Sequence, residues 1–376
     1  MIFCRVWSVP SLRGSRLTRA QVEKAAAPWS RRELAGAAFA VLLMAALLAR
    51  AETTVTFEDS AGRRIAVPAR VERVFAAGPP ASVLVFAIAP DTLLGWNRAM
   101  TPEEARFIPP RYAALPALGR LTGRANTANV ETVLKARPDL ILDVGSVTPT
   151  FVSLADRVQA QTGVPYVLLD GRLEALSRTL ELAGALLGRD DRAQRLAQYV
   201  GRTLEEVRTQ VSMIAEEQRP RVYYARGPNG LQTALPGSIN VEALEFVGAR
   251  NVAAGPPGGG LINVSREQVL AWNPEVIVTI DPNFYAAVWS DPAWAGVAAV
   301  RSGRGHLSPH LPFGWVDFPP GLNRVMGVRW LAAVLYPDRF PGDLRRQTEA
   351  FYRLFYHRSP EPALLDALLA PQRPLR

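Results

Sequence analysis

The chain reads as an α/β protein: two Rossmann-like lobes with parallel sheets, joined by a single long backbone helix. Three observations predict this. From about residue 71 to 170, short apolar runs that end in turn residues alternate with helical segments. Helical spacing then takes over from Leu173 to Glu217, interrupted only at Gly188. After Pro220 the strand–helix alternation restarts. Short apolar strands between helices belong to parallel sheets covered on both faces. One long helix between two such blocks makes them separate lobes. The expected boundaries are 1–51 for an export signal, 52–170 and 219–376 for the lobes, and 171–218 for the linking helices.

The export signal rests on Trp29-Ser30-Arg31-Arg32-Glu33-Leu34, an unbroken apolar run from Ala35 to Ala49, and Ala49-Arg50-Ala51. A basic flank, an apolar core too short to span a bilayer and a small-x-small end are the parts of a secretory signal. Ser30-Arg31-Arg32 also suits twin-arginine export; an ordinary Sec signal with a start upstream of Arg31 fits equally. Either way the mature chain is expected to be soluble and periplasmic. There it has no ATP supply, which favours binding or hydrolysis over ATP-driven chemistry.

Composition narrows the classes. The 376 residues carry a formal charge of +9, but the first 51 hold eight Arg/Lys and two Glu. The remaining 325 carry 35 basic and 32 acidic residues, or +3, which gives no ground for a nucleic-acid partner. The single cysteine, Cys4, precedes the apolar run. The mature chain is thus expected to lack disulfides, thiolate metal sites, a cysteine nucleophile and a lipid anchor. Three histidines, His306, His310 and His357, are too few and too scattered for an all-histidine zinc site.

In chain order, Thr54–Phe57 and Arg64–Pro68 flank the turn Asp59-Ser60-Ala61-Gly62 and predict a hairpin. Strands are predicted at Val71–Ala77, Thr92–Gly95, Leu140–Val144 and Tyr166–Leu169, with helices at Val130–Ala136 and Phe151–Thr162. Asp190 caps a second linking helix reaching Glu217, along which Ala193, Leu196, Ala197, Val200, Leu204, Val207, Val211 and Ile214 keep helical spacing. Twenty-eight residues would make a rod of about 40 Å. The second lobe reads as strands at Arg221–Tyr224, Val276–Ile280 and His306–Ser308, with helices at Ile239–Val247 and Ser265–Trp272. Pro320–Tyr336 and Asp343–Tyr356 close the chain as helices.

The two halves echo each other. Glu131 opens a helix that runs through Arg137-Pro138-Asp139 into a strand, and Glu267 opens one that runs through Asn273-Pro274-Glu275 into a strand. Acids favour helix N-termini through the macrodipole, and Ser265 with Gln268 fits a capping box. Two lobes offering one acid each at equivalent places also suggest a two-point docking surface.

Ser265-Arg266-Glu267-Gln268-Val269-Leu270 before Trp272-Asn273-Pro274 resembles the second-lobe motif of the cobalamin- and siderophore-binding proteins of ABC importers. Asn129-Val130-Glu131 with Ala136–Leu140 resembles their first-lobe motif. Asp59–Arg63 through Val67-Pro68 resembles their opening hairpin, and Ala243 through Asn251-Val252 the helix before the second motif. The likeness spans residues 53 to 360. Pro319–Arg324, the helix through Trp330, Leu335-Tyr336-Pro337 and Phe351–Tyr356 resemble a branch that handles iron chelates, with some relatives taking molybdate or tungstate. The resemblance implies that Glu131 and Glu267 meet arginines on a permease dimer in the inner membrane.

Ligands of two-lobed α/β proteins lie at the carboxyl ends of strands. The loops there supply the expected ligand contacts: Pro79 with Pro80 and Ser82; Trp96 with Asn97 and Arg98; Gly145 and Ser146; Arg120; Arg226 and Asn229; Tyr285 with Asn283 and Phe284; His310, Phe313 and Trp315. Arginines with aromatics suit a flat anionic metal chelate, or a small oxyanion held also by helix-start amides near Ser82. Each arginine could equally be a solvated charge, and Trp96 and Trp315 core packing. His310 is a candidate chelate contact or axial ligand; no protein-held metal is otherwise expected. Gly255–Gly260 reads as a rim loop, lacking the Lys-Ser/Thr of a phosphate loop. No Gly-x-Ser-x-Gly and no paired carboxylates stand out, so no enzyme and no intrinsic cofactor are expected. The expectation is a monomeric binding protein that hands a ferric siderophore or related chelate, or else molybdate or tungstate, to a permease, with little lobe movement; an exported two-lobed enzyme is the rival of another class, behind these two.

Overall fold

Two parallel sheets, each buried on both faces, sit on one linking helix in the computed structural model, which describes residues 53–123, 127–256 and 259–370. The expected signal at 1–51 lies outside the described residues, as do Pro257 and Gly258 of the expected rim loop. Among the described residues no helix is long and apolar enough to cross a membrane.

The chain opens with the hairpin of β1 (Thr54–Glu58) and β2 (Arg64–Pro68), in register Phe57 to Ile65. In β2 Ile65 and Val67 point into the core while Arg64 and Ala66 face solvent, the period-two pattern of a half-buried strand. Asp59 pins the turn and ties it to the first sheet, accepting from Ala61 N, Arg63 N and Leu168 N. Next come β3 (Val74–Ala76), α1 (Pro79–Ile88), the single turns α2 (Pro102–Ala105) and α3 (Pro110–Ala113), α4 (Val130–Ala136), β4 (Leu140–Gly145), α5 (Pro149–Thr162) and β5 (Tyr166–Asp170). The parallel sheet runs β3-β4-β5. The strand expected at Thr92–Gly95 does not form. Pro90 starts a 3₁₀ turn over Pro90–Thr92, and Leu93 makes only an isolated bridge to Val74.

The link consists of α6 (Leu176–Leu187) and α7 (Asp190–Ser212), antiparallel across Gly188, whose φ of +62° ends α6. Helix α7 has 23 residues, about 35 Å, and stops five residues short of Glu217. Its last turn tightens: Met213 N and Ile214 N donate to carbonyls three residues back, Gln210 O and Val211 O. Ile214 thereby stays buried at apparent helical spacing after the helix has ended, which explains the overlong expectation.

The second lobe contains β6 (Arg221–Ala225), β7 (Gln232–Ala234), α8 (Glu242–Phe246), β8 (Arg250–Asn251), β9 (Leu261–Asn263), α9 (Arg266–Trp272), β10 (Val276–Thr279), α10 (Pro282–Ala287), α11 (Ala298–Arg301) and β11 (Gly305–Leu307). Its parallel sheet runs β11-β10-β6-β8, with β7 and β9 as a separate antiparallel pair. Helices α12 (Arg324–Leu335), α13 (Leu344–Phe355) and α14 (Pro362–Leu369) close the chain.

Strand alternation explains how one core serves both lobes. Leu140, Leu142 and Val144 of β4 and Val222 and Tyr224 of β6 share a cluster with Leu196, Val200, Leu204 and Val207 of α7. The opposite faces feed smaller cores, Ile141 with Phe75 and Tyr166, and Tyr223 with Ile277 and Phe284. The tail corrects the expected lobe boundary. After α12 the chain returns to the first lobe: Tyr352 packs on Phe107 at 5.6 Å and Tyr356 on Phe86 at 6.5 Å. Arg192 Nη2 donates to Leu354 O, and Arg358 Nη1 to Ile108 O. The expected second-lobe tail beyond about residue 343 thus covers Phe86 and Phe107 of the first lobe.

Candidate functional site

The segment from Pro309 to Asn323 joins the carboxyl ends of the two sheets. It leaves the second lobe after β11 and reaches the first at Gly321, where a Cβ would sit 3.6 Å from Pro80 Cα. Its anchor is Asp317, fully buried, which accepts from Tyr224 Oη (3.0 Å), Asn240 Nδ2 (3.0 Å) and Phe318 N (2.6 Å). The loop folds tightly enough that a Cβ on Gly314 would lie 2.1 Å from Asp317 O, so only glycine fits.

Arg226, at the carboxyl end of β6, faces this anchor. Its Nε lies 2.9 Å from Asp317 Oδ2, close enough for a charge pair but off the hydrogen-bond line. Its Nη1 donates to Gln232 Oε1 at 2.8 Å. The guanidinium is 6% exposed and fixed before any ligand arrives. Burial pushes the Tyr224 hydroxyl up, and the neighbouring Asp317 charge adds to it, so this phenol stays protonated.

On the first-lobe side α1 begins at Gly78, with prolines in its first turn. Pro79 is half-buried, and Ser82 is buried with its hydroxyl turned back onto Pro79 O at 2.9 Å. Below Gly78 lies a second buried carboxyl. Asp143 of β4 accepts from Thr122 Oγ1 (3.1 Å), Tyr166 Oη (3.0 Å) and Val144 N (3.0 Å), and burial raises it. Asn97 Nδ2 donates to Ala76 O and Gly119 O, sewing the end of β3 to the next loop.

Four expected contacts have their polar groups engaged within the protein. Trp96 is buried, donates from Nε1 to Tyr112 O at 2.8 Å and packs on Phe86 and Phe313. Trp315 is fully buried and donates to Tyr352 Oη at 3.2 Å. Both indoles satisfy their N–H inside the core. Tyr285 is buried against Trp289 with its hydroxyl on Gly305 O, at the start of β11 and so at the wrong end of the strand. Arg98 is exposed but held in a bidentate pair with Glu104, which also closes a capping box with Thr101. Burial would raise the Glu104 carboxyl; Arg98 and the Thr101 bonds outweigh it and hold it low. Arg120 is half-buried, its carbonyl accepting from Thr127 N and Ala128 N. His310 is exposed just beyond β11. Among the described residues no three His, Cys, Asp or Glu side chains converge on a common point. Asp317 and Phe318 were not singled out from the sequence; the run Asp317-Phe318-Pro319-Pro320 was the available signal, a forced turn beside an acid.

Glu131 and Glu267 occupy matched helices. Asn129 Oδ1 accepts from Thr132 N and Ser265 Oγ from Gln268 N, one N-cap each. Arg137 (φ 48°) and Asn273 (φ 42°) end the helices in the left-handed region. Each equivalent pair, Leu134 and Leu270 included, is 136 residues apart. Both glutamates are exposed. They differ in company: Glu131 pairs with Lys135 at 2.7 Å, whereas the Ser265 hydroxyl holds the Glu267 carboxyl low.

Comparison with known proteins agrees with this architecture. The periplasmic binding protein family model matches residues 108–305. An ABC transporter solute binding protein from Sulfurospirillum deleyianum is 31% identical, with a TM-score of 0.76 over 84% of this chain and 98% of that one. The molybdate-binding protein MolA of Haemophilus influenzae is 25% identical over 357 residues, 85% of this chain and 97% of that protein. Its molybdate-bound structure gives a TM-score of 0.68 at 22% identity, over 82% of this chain and 99% of that one. Two parallel sheets, the linking helix and these matches together make the chain a member of the periplasmic binding protein family.

Proposed function

We propose that this protein is the substrate-binding component of an ABC importer, that it works as a monomer in the periplasm after export, and that it carries a ferric siderophore or related metal chelate between its lobes. The observation that carries the reading is the meeting of Pro80 and Gly321. It sets the carboxyl ends of both sheets on one gap, with the fixed charge of Arg226 at its second-lobe wall. Two features favour a chelate over a bare oxyanion. Pro79 and Pro80 remove N–H donors from the first turn of α1, where a small anion would be held, and Asp317 already compensates Arg226. A large anionic chelate needs less concentrated charge and more surface.

Glu131 and Glu267 dock the loaded protein on the permease, one glutamate from each lobe. Helix α7, packed along the shared core, limits lobe movement; scattering curves with and without ligand should nearly superimpose. A second reading, molybdate or tungstate, is favoured by the likeness to MolA. Tryptophan fluorescence titrations with ferric catecholates, ferric hydroxamates, haem, molybdate and tungstate test both. Saturable micromolar binding of a chelate, with no product formed, supports the first reading. Binding of the oxyanions alone selects the second, and turnover of any compound would overturn both.

A further inference from the structure

Phe318 combines two properties that the fold alone does not reward. Its backbone lies in the left-handed region, φ +61°, a genuine outlier for a bulky side chain. Its ring is 62% exposed. The other described non-glycine residues at positive φ each serve the fold: Arg137 and Asn273 end α4 and α9, and His357 bonds to Phe86 O. The conformation of Phe318 is imposed from both sides. Its N–H donates to the buried Asp317 carboxylate, its carbonyl accepts from Gly314 N at 3.2 Å, and Pro319 O accepts from Asn323 Nδ2 at 3.0 Å. Strained conformations held by an over-determined shell cluster at ligand clamps.

Its place fits such a role. One residue before it, Asp317 touches Arg226 at the end of β6. Three residues after it, Gly321 meets Pro80 of the first lobe. Phe318 therefore stands where the two lobes approach, next to the buried pair of Asp317 and Arg226.

We infer that Phe318 is a specificity-determining wall of the gap, presenting its ring face to a flat aromatic ring of the bound chelate. This rests on the chelate reading above and deepens it. An aromatic face selects planar π-systems and gives a tetrahedral oxyanion nothing to stack on.

The test uses the full mature chain, the ferric catecholate of 2,3-dihydroxybenzoate as the stacking probe, and molybdate as the non-stacking one. Phe318→Ala and Phe318→Leu should weaken catecholate binding about tenfold, Phe318→Trp should retain it, and any molybdate affinity should stay within about twofold. Phe318→Gly should also lose about tenfold in catecholate affinity while its thermal midpoint matches or exceeds that of the wild type, since glycine relieves the left-handed backbone. Catecholate affinity unchanged in Phe318→Ala, or a lowered midpoint in Phe318→Gly, would overturn this inference and leave the chelate reading standing. A wild-type protein that binds molybdate but no catecholate would remove the chelate reading, and this inference with it.

Discussion

Arg221 stands to the helix Arg266–Trp272 as Arg73 stands to Val130–Ala136. Arg73 donates to the helix-end carbonyls of Ala136 (2.6 Å) and Arg137 (2.8 Å); Arg221 donates to Trp272 O. Their own N–H groups both go to the acid that begins the next strand segment, Asp139 Oδ2 and Glu275 Oε2, each at 2.9 Å. Their carbonyls both accept from the N–H of that same acid. Each lobe thus clamps its glutamate-bearing helix to the start of a parallel strand, β3 or β6, by the same side chain, used the same way.

Removing either clamp should cost about 1 kcal/mol, because the helix-end carbonyls of Ala136 and Arg137, or of Trp272, lose a charged donor. Arg73→Met and Arg221→Met should add in the double variant, since the sites share no partners. Urea denaturation midpoints measure this. A double loss well below the two single losses would mean that the clamps are coupled.

Glu131→Gln with Glu267→Gln should abolish uptake in cells while leaving ligand affinity in solution within about twofold. Both glutamates are exposed, on helices outside the gap. A drop in affinity in the purified double variant would count against docking.

Arg324 is the inner junction of the molecule. It is fully buried, donates to Gly171 O in the first lobe and to Ile239 O in the second, and pairs with Glu242 at 2.6 Å. Glu242 in turn accepts from Leu173 N at 2.9 Å, where the linking segment starts. Burial lowers the Arg324 pKa, and the Glu242 charge opposes that. Glu242→Gln should strand the cation and cost about 3–5 kcal/mol of unfolding free energy. A loss under about 1 kcal/mol would show that the pair contributes little to holding the lobes.

His306 sets an acid limit. Burial, helped by Arg304, depresses its pKa to about 4, below the ordinary 6.5. The unfolded chain therefore binds this proton first as pH falls. The stability tied to neutral His306 is intact above pH 6.5 and is lost on acidification towards pH 4, at about 1.4 kcal/mol per pH unit. His306→Gln should flatten the stability curve in that window; an unchanged slope would assign the acid sensitivity elsewhere.

Much of the architecture was legible because it rests on periodicity. Helices at Val130–Ala136 and Arg266–Trp272 follow from caps and closing prolines, and β4 and β6 from apolar runs between turns. The site was less legible, because a loop position after a strand does not say where its side chain points. Trp96 and Trp315 occupy such positions and turn inward, each finding a partner for its indole N–H. Arg98 was readable in principle: Thr101-Pro-Glu-Glu104 is a capping box, and its glutamate is the group that holds the arginine. For Phe318 the sequence offered only the forced turn of Asp317-Phe318-Pro319-Pro320; its left-handed backbone comes from the surrounding Asp317 and Asn323 bonds, which no local pattern marks.

Lys135 beside Glu131 has no counterpart in the other half, where Ala271 stands at the matching position. In the proposed docking, a receptor offering two identical cationic recesses would meet two acids in different company. Glu131 would have to exchange its lysine for a recess, whereas Glu267 would exchange only a serine hydroxyl, so the two contacts would form at unequal cost.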